Sequence, residues 1–361
     1  MSVEKIPPHS PEKPVTEEAL VSVVIVNYNG KEFLADCLTS VFEQPHRPLE
    51  VIVVDNASTD GSLEMIRRQF PLVRLVVNSV NRGFAGGNND GCDMATGEYI
   101  VLLNNDTVVE HSWLPGLLKY ARRPEIGAAA SFVTTDGIPP AFYEMNGTLN
   151  YLGYNIMRHF SDVSQIFYAG GTSMMFRRNV STRPFLDEYF LYHEDVYYSW
   201  KLRLAGFSVV MAPGSKVKHL GSATTKRALS STVTFYQERN RILNALFFFE
   251  KKTLILLSPW FVSDAFAKIL LAVLAKGKSL RGLLRAYWWL MTNMDWIRKQ
   301  RTREQAGRKI ADAAILQLMS AEVIDTARWQ HVVARMVNSL AKVYAALTGL
   351  PYHVADQPHG R

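Results

Sequence analysis

Cysteine is nearly absent. Cys37 and Cys92 are the only two in 361 residues, far apart and outside any CxxC pair. That excludes a zinc-ribbon site and a disulfide scaffold, and it suits a reducing compartment. Uncharged runs are also short in the last third, Thr253 to Ser263, Ile269 to Ala275 and Ala286 to Met294 among them. None approaches the 18 or more residues of a spanning helix, so none is expected there. The opening run MSVEKIPPHSPEKPVTEEA has three prolines in its first eleven residues and no apolar core region. It is expected to be a flexible leader over residues 1–18, neither a secretory signal nor a folded element. No GxGxxG follows the first apolar run, which disfavours a dinucleotide oxidoreductase, and no Gly-rich, Lys-containing signature supports a nucleotidyltransferase.

Hydrophobic residues make up 48% of the chain, enough for a full core with an appendage or a second domain. The net charge of +7 is uneven. Lys251–Arg361 holds 17 Lys and Arg against 7 Asp and Glu, a net of +10, which leaves −3 for the first 250 residues.

Between Val21 and Asp106 apolar strands alternate with helical patterns: VSVVIVNYN, KEFLADCLTSVFEQ, LEVIVVDNAS, a helix capped by Ser58 or Asp60, VRLVVN, a helix over Asn88 to Ala95, and YIVLL. Strands apolar throughout and separated by helices predict a parallel sheet covered on both faces. Ligands of such sheets bind at the carboxyl ends of the strands. Asn27 and Asn29, Asp55 and Asn56, Asn78 and Asn81, and Asn104, Asn105 and Asp106 end the four strands in turn. Any one of these is an ordinary turn residue; four ends with polar groups on one edge predict a site. Residues 131 to 168 look irregular. AGGTSMMFRR predicts a turn and a strand, and LYHEDVYYSWKLRLAGF places Glu194 and Asp195 at a helix start. His219 follows a short strand.

VSVVIVNYNG, VIVVDNASTDGS, NRGFAGGNNDG, YIVLLNNDT, GGTSMMFRR and HEDVYYSWKLRLAGF, in this order, resemble inverting glycosyltransferase family 2 with its GT-A fold, in particular the bacterial rhamnosyltransferase-like branch. The resemblance spans about Val21 to Asn240. It implies a Rossmann-like, mostly parallel central sheet with helices on both faces, over residues 19–240. A basic, aromatic-rich helical region, 241–361, would follow. Val26, Asn27, Tyr28, Asp55 and Asn56 would hold the nucleoside of a dTDP- or UDP-sugar. Arg82, Gly83 and Asn89 would line the donor, with glycines letting the backbone approach it, and Gly170, Gly171 and Thr172 would wall the acceptor side.

Asn104, Asn105 and Asp106 stand at the family's Asp-x-Asp metal motif. Only Asp106 keeps a carboxylate, so a divalent metal, Mg²⁺ or Mn²⁺, would rest on Asp106 with His219 as a second candidate ligand. Asp195 is the expected general base, kept ionised by the helix start, with Glu194 as the alternative. The expected reaction moves a sugar, L-rhamnose from dTDP-rhamnose among the options, to a lipid-linked or saccharide acceptor in cell-surface polysaccharide synthesis. A catalytically silent nucleotide-sugar binder is the alternative, motivated by the missing first aspartate.

In the tail, Phe266, Ile269, Leu270, Val273 and Leu274 form an apolar stripe near Lys268, Lys276, Lys278, Arg281 and Arg285, with FFFEKK and YWWLM as interfacial aromatics. This predicts a helix lying on an anionic membrane surface, hence a peripheral protein on the cytoplasmic face of the membrane. The competing reading is a helical subdomain packed on the catalytic domain. A second stripe, Trp329, Val332, Val333, Met336, Val337, Leu340 and Tyr344, reads as ordinary packing or a homodimer contact. No nucleic-acid-binding motif accompanies the basic charge.

Overall fold

The computed structural model describes residues 19–135, 147–156, 166–220, 231–275, 277, 279–324 and 332–352. The expected leader and Trp329, Lys276 and Lys278 lie outside them.

Strands β1 (Val21–Asn27), β2 (Leu49–Asp55), β3 (Arg74–Val77) and β4 (Tyr99–Asn104) alternate with helices α1 (Lys31–Phe42), α2 (Ser62–Gln69) and α3 (Gly83–Met94). The four strands are parallel, with Asn27 beside Asp55 and Val26 beside Asn104. Their last residues therefore form one row. There follow β5 (Thr107–Val109), α4 (Trp113–Ala121), β6 (Ile126–Thr135), the small hairpin β7 (Thr148–Leu149) and β8 (Asn155–Ile156), then β9 (Ser173–Arg177). A 3-10 turn at Asp187–Tyr189, α5 (Glu194–Leu204) and β10 (Ser208–His219) complete this part.

The main sheet has the order β3-β2-β1-β4-β9-β6-β10-β5. β9 runs antiparallel to β4 and β6, and β5 antiparallel to β10, so the sheet is mostly parallel, as expected, and mixed on one side. β6 corrects the expectation of irregular chain from residue 131. Its first half, IGAAAS, is too small and too little β-branched to read as a strand. His219 ends a twelve-residue strand, longer than expected.

Period-two alternation builds a core on each face. Val21, Val23 and Ile25 pack with Leu34, Leu38 and Trp113 on one side. Val24, Val54, Trp200 and Phe248 belong to the other. Each such fully buried side chain contributes about 1.5–3 kcal/mol. Cys37 lies within the first core, its Sγ 3.5 Å from the Asn104 carbonyl, and burial pushes its thiol up to about 12. Burial raises Cys92 as well.

The remaining chain is helical: α6 (Ser231–Phe248), α7 (Lys251–Leu274), α8 (Ser279–Thr292), α9 (Met294–Ala306), α10 (Asp312–Leu316) and α11 (Val332–Thr348). The expected boundary at 240/241 falls inside α6, a single helix that packs on α5 and on α8.

Three expectations for this region are corrected. Phe247, Phe248 and Phe249 are fully buried, Phe249 edge-on to Trp200 at 4.8 Å, so they are core and not interfacial. Of the two readings of the α11 stripe, ordinary packing fails for Val332, Val333, Met336 and Leu340, which are exposed, while Ala334, Asn338, Ala341 and Ala345 pack inward and Val337 and Tyr344 are half-buried. Third, α7 runs unbroken through Pro259 for 24 residues and is long and apolar enough, by length and composition, to cross a membrane. Its only interior charges, Asp264 and Lys268, face α6. There Arg241 bonds Glu238 (2.7 Å) and Asp264 (2.8 Å), Lys268 pairs with Glu238, and Tyr154 donates to Asp264 (2.6 Å). Thr253, Leu257, Asp264, Lys268 and Ala272 thus share one inward stripe, with Ile255, Val262, Phe266 and Val273 opposite and exposed.

Candidate active site

The ends of β1 and β2 are laced together. Asn27 donates to Asp55 Oδ1 (3.1 Å) and Ser58 Oγ (3.1 Å), Ser58 N–H donates to Asp55 Oδ2 (2.9 Å), and Asn105 Nδ2 donates to Asn27 Oδ1 (2.9 Å). Asp55, Asn27 and Asn105 thus form one buried chain of hydrogen bonds across three strand ends. Gly30 permits it: a Cβ there would lie 2.1 Å from Asn105 Nδ2. Tyr28 stays about half exposed at the rim. Ser58, expected as a candidate cap of the next helix, instead accepts from Asn27 and Asn29, and α2 begins after Gly61 with no side-chain cap; Gly30 carried no weight in the sequence, since a glycine after a strand end looks like any turn.

The helix α3 begins at Gly83, earlier than expected. Its glycines serve packing: a Cβ on Gly87 would lie 2.8 Å from Val26 Cγ1, and one on Gly91 2.3 Å from Val24 Cγ1. Gly83, at φ +70°, has Phe190 against it, with the Phe190 carbonyl 2.3 Å from where a Cβ would be. Asn56 is buried and donates to the Gly83 carbonyl (2.9 Å). Arg82, expected to meet negative charge, does so within the chain, on Asp90 and Asp187. Asn89 is fully buried, with both ends of its carboxamide spent on Phe185 backbone and Asp187 (2.6 Å to the latter). Asp187 was not anticipated; it lies about a hundred residues from the glycine segment it fastens.

Asp106 and His219 are brought together by the sheet. β5 and β10 pair antiparallel with His219 opposite Thr107, which sets His219 Nε2 3.1 Å from Asp106 Oδ1. Both side chains are over nine-tenths buried. Among the described residues no three His, Cys, Asp or Glu cluster as a closed metal cage. A carboxylate beside an imidazole suits a cation that takes the rest of its shell from phosphate or water. Asn104 lies at the end of β4, its N–H on the Thr172 carbonyl (3.0 Å), so Gly170–Thr172 continues from the same edge.

Asp195 opens α5. Its Oδ2 accepts the Gly171 N–H (3.2 Å) and its Oδ1 the Val196 N–H (2.7 Å), and it is partly exposed. A Cβ on Gly171 would lie 2.9 Å from Phe84 Cζ and 3.9 Å from Asp195 Cβ, so Gly170–Thr172 runs beside the acid pair. Burial pushes the Asp195 carboxyl up despite these N–H bonds, contrary to the expectation that the helix start alone would govern it. Glu194 differs. It is buried, one carboxylate oxygen has no hydrogen-bond partner, and burial, then the charge of Asp195, push its carboxyl well up. Of the pair, Asp195 is the more exposed. Burial drives His193 down to about 3, so it is neutral.

Residues 22–183 match the family model of glycosyl transferase family 2. The chain is also similar to curated proteins: an uncharacterized glycosyltransferase of Haemophilus influenzae is 28% identical over 118 residues, 32% of this chain and 36% of that protein. The glycosyltransferase GlyG of Streptococcus pneumoniae is 30% identical over 125 residues, 33% of this chain and 42% of its own length. The chain thus spans about two fifths of these relatives. The crystal structure of GalNAc-T7 with UDP, GalNAc and Mn²⁺ superposes with a TM-score of 0.54 at 15% identity, over 76% of this chain and 57% of that one. At that identity the likeness speaks for the fold: GT-A, followed by a helical region.

Proposed function

We propose that this chain is an inverting glycosyltransferase that uses a nucleotide-sugar donor. The observation that carries the reading is the gathering on one sheet edge of a laced Asp55–Asn27–Asn105 pocket, the Asp106–His219 pair and the partly exposed Asp195. Asp55, with Val26, Asn27, Tyr28 and Asn56, takes the nucleoside. Asp195 removes the proton of an acceptor hydroxyl held against Gly170–Thr172; that oxygen bonds to the anomeric carbon as the bond to the diphosphate breaks on the opposite side. Asp106 and His219 would hold a divalent cation, Mg²⁺ or Mn²⁺, whose charge offsets that of the leaving diphosphate.

The finer reading is a rhamnosyltransferase-like enzyme that takes L-rhamnose from dTDP-rhamnose to a lipid-linked or saccharide acceptor of a cell-surface polysaccharide. It works on the cytoplasmic face of the membrane. The outward apolar residues of α7, α8 and α11, with Phe266 71% and Trp288 66% exposed, lie on helices that also expose Lys251, Lys252, Arg281 and Arg285. This combination supports peripheral binding to anionic lipid. The buried ion cluster, which ties the middle of α7 to α6, supports a position on the surface rather than across it.

The test is a screen of UDP-, GDP- and dTDP-sugars for nucleotide release, with and without Mg²⁺ or Mn²⁺, beside sedimentation with phosphatidylglycerol vesicles. Release from at least one donor that stops in Asp195→Asn is expected. Tight donor binding with no turnover on any acceptor would favour the silent binder suggested by Asn104; a stable dimer that ignores vesicles would assign the apolar faces to self-association.

A further inference from the structure

The buried polar run Glu238, Arg239, Asn240, Arg241 and Asn244 on α6 does two separate jobs, and only one of them belongs to the ion cluster under α7. The other concerns the segment that leads into Asp195. Residues Phe190 (φ +59°), Tyr192 (φ +68°) and His193 (φ +64°) are all in the left-handed region, where side-chain-bearing residues are strained. Such a backbone pairs few of its carbonyls within the main chain: that of Tyr189 accepts the Leu191 N–H (2.6 Å) and that of His193 the Tyr197 N–H (2.9 Å) of α5, while the others need donors from elsewhere.

α6 supplies nearly all of them. Asn240, fully buried, donates to the carbonyls of Tyr189 (2.9 Å), Leu191 (3.0 Å) and Tyr192 (2.7 Å). Asn244 donates to the His193 carbonyl (3.0 Å), and its oxygen accepts the Tyr189 hydroxyl (2.6 Å). Arg239 reaches the Glu188 carbonyl. The remaining carbonyl, that of Phe190, accepts the Ala85 N–H (3.2 Å) from the first turn of α3, and the Phe190 ring stacks on Tyr236 of α6 at 5.0 Å.

We infer that Asn240, backed by Asn244, is a positioning residue: it holds the 188–193 segment in its strained shape and thereby fixes Asp195 relative to the donor segment that starts at Gly83. This rests on the reading of Asp195 as the base. A displacement of the base by about 1 Å costs roughly 10²-fold in rate, while the nucleoside pocket on β1 and β2 is untouched by α6.

The experiment measures hydrogen exchange of amides 189–194, affinity for UDP and dTDP by calorimetry, and kcat with the donor that releases nucleotide fastest in the wild type. Three variants are compared. Asn240→Ala is expected to speed exchange in the segment at least about tenfold and lower kcat roughly 10- to 100-fold, with nucleotide affinity nearly unchanged. Tyr189→Phe, a lighter change that frees the Asn244 oxygen, moves both readouts the same way by less, and it decides the matter if Asn240→Ala does not fold. Tyr287→Phe removes an α6 hydrogen bond to Glu238 on the other side of the helix and should leave both unchanged. Unaltered exchange in the folded Asn240 and Tyr189 variants overturns the clamp. Faster exchange at full kcat, or a rate loss matched by lost nucleotide affinity, overturns the positioning role. A wild-type rate in Asp195→Asn overturns the base assignment instead, while the exchange data still decide whether the clamp exists.

Discussion

Glu238→Gln isolates what holds α7 to the rest of the protein. Burial alone would push the Glu238 carboxyl up; Arg241 and Lys268 outweigh it by charge and hydrogen bonds and hold it at about 2, against an ordinary value of 4.5. A displacement of that size corresponds to about 3 kcal/mol of folded-state stabilisation. The independent expectation for breaking a buried ion pair, about 3–5 kcal/mol, agrees. The sign follows from the lowered value: the contribution is whole above 4.5 and is lost as pH falls through about 2. The variant should therefore unfold about 3 kcal/mol more easily than the wild type at neutral pH, and only about 1.4 kcal/mol more easily near pH 3. Urea titrations followed by tryptophan fluorescence would measure both, since Trp260, Trp288, Trp289 and Trp296 lie on α7, α8 and α9. A difference below about 1 kcal/mol at neutral pH, or one that does not shrink on acidification, would refute the view that this cluster fastens the helix.

Asp195→Asn should lower kcat roughly 10²- to 10⁴-fold with donor affinity intact, and Glu194→Gln should cost less; the reverse order would exchange their roles. Because burial raises the Asp195 carboxyl, the wild-type rate should fall on acidification at a pH above the ordinary 3.8, as the base takes up its proton; a profile flat down to about pH 4 would contradict this. Asp106→Ala should abolish Mn²⁺-supported nucleotide release and Mn²⁺ binding by calorimetry, whereas His219→Ala should raise the Mn²⁺ concentration required; Mn²⁺ affinity unchanged in both would remove the pair from metal binding. Gly83→Ala places a Cβ against the Phe190 carbonyl at φ +70° and should cost about 1–3 kcal/mol in thermal unfolding; a variant as stable as the wild type would show that Phe190 yields freely.

The row of polar strand ends was legible because a parallel sheet has one carboxyl edge, so Asn27, Asp55 and Asn104 had to be neighbours. The meeting of Asp106 with His219 was expected only through the family resemblance, since it depends on a strand pair formed by residues 107–109 and 217–219 that no local pattern announces. ERNR on α6 drew no notice in the sequence, yet every residue of it is buried, because its partners are ions on α7 and carbonyls of a strained loop. α11 misled in the opposite way: its large apolar residues suggested an inward face, but close packing chose Ala334, Ala341 and Ala345. α7 looked interrupted because Asp264 and Lys268 count as charges in a sequence, and they cease to do so once paired beneath the helix. The glycines of this segment were expected to let the backbone approach a donor; Gly87 and Gly91 instead press one face of α3 on Val26 and Val24, while Gly83 lies against Phe190.

Both native thiols are sealed in the sheet's two cores and held in their protonated, unreactive form. Maleimide chemistry would therefore pass over the folded wild-type protein, and a cysteine introduced at an exposed α7 position such as Phe266 would stand as a single attachment point without any prior deletion. An environment-sensitive dye there, stepped along Val262, Phe266 and Leu270, turns the outer face of α7 into a depth gauge that reads, residue by residue, how far the helix sinks into a lipid surface.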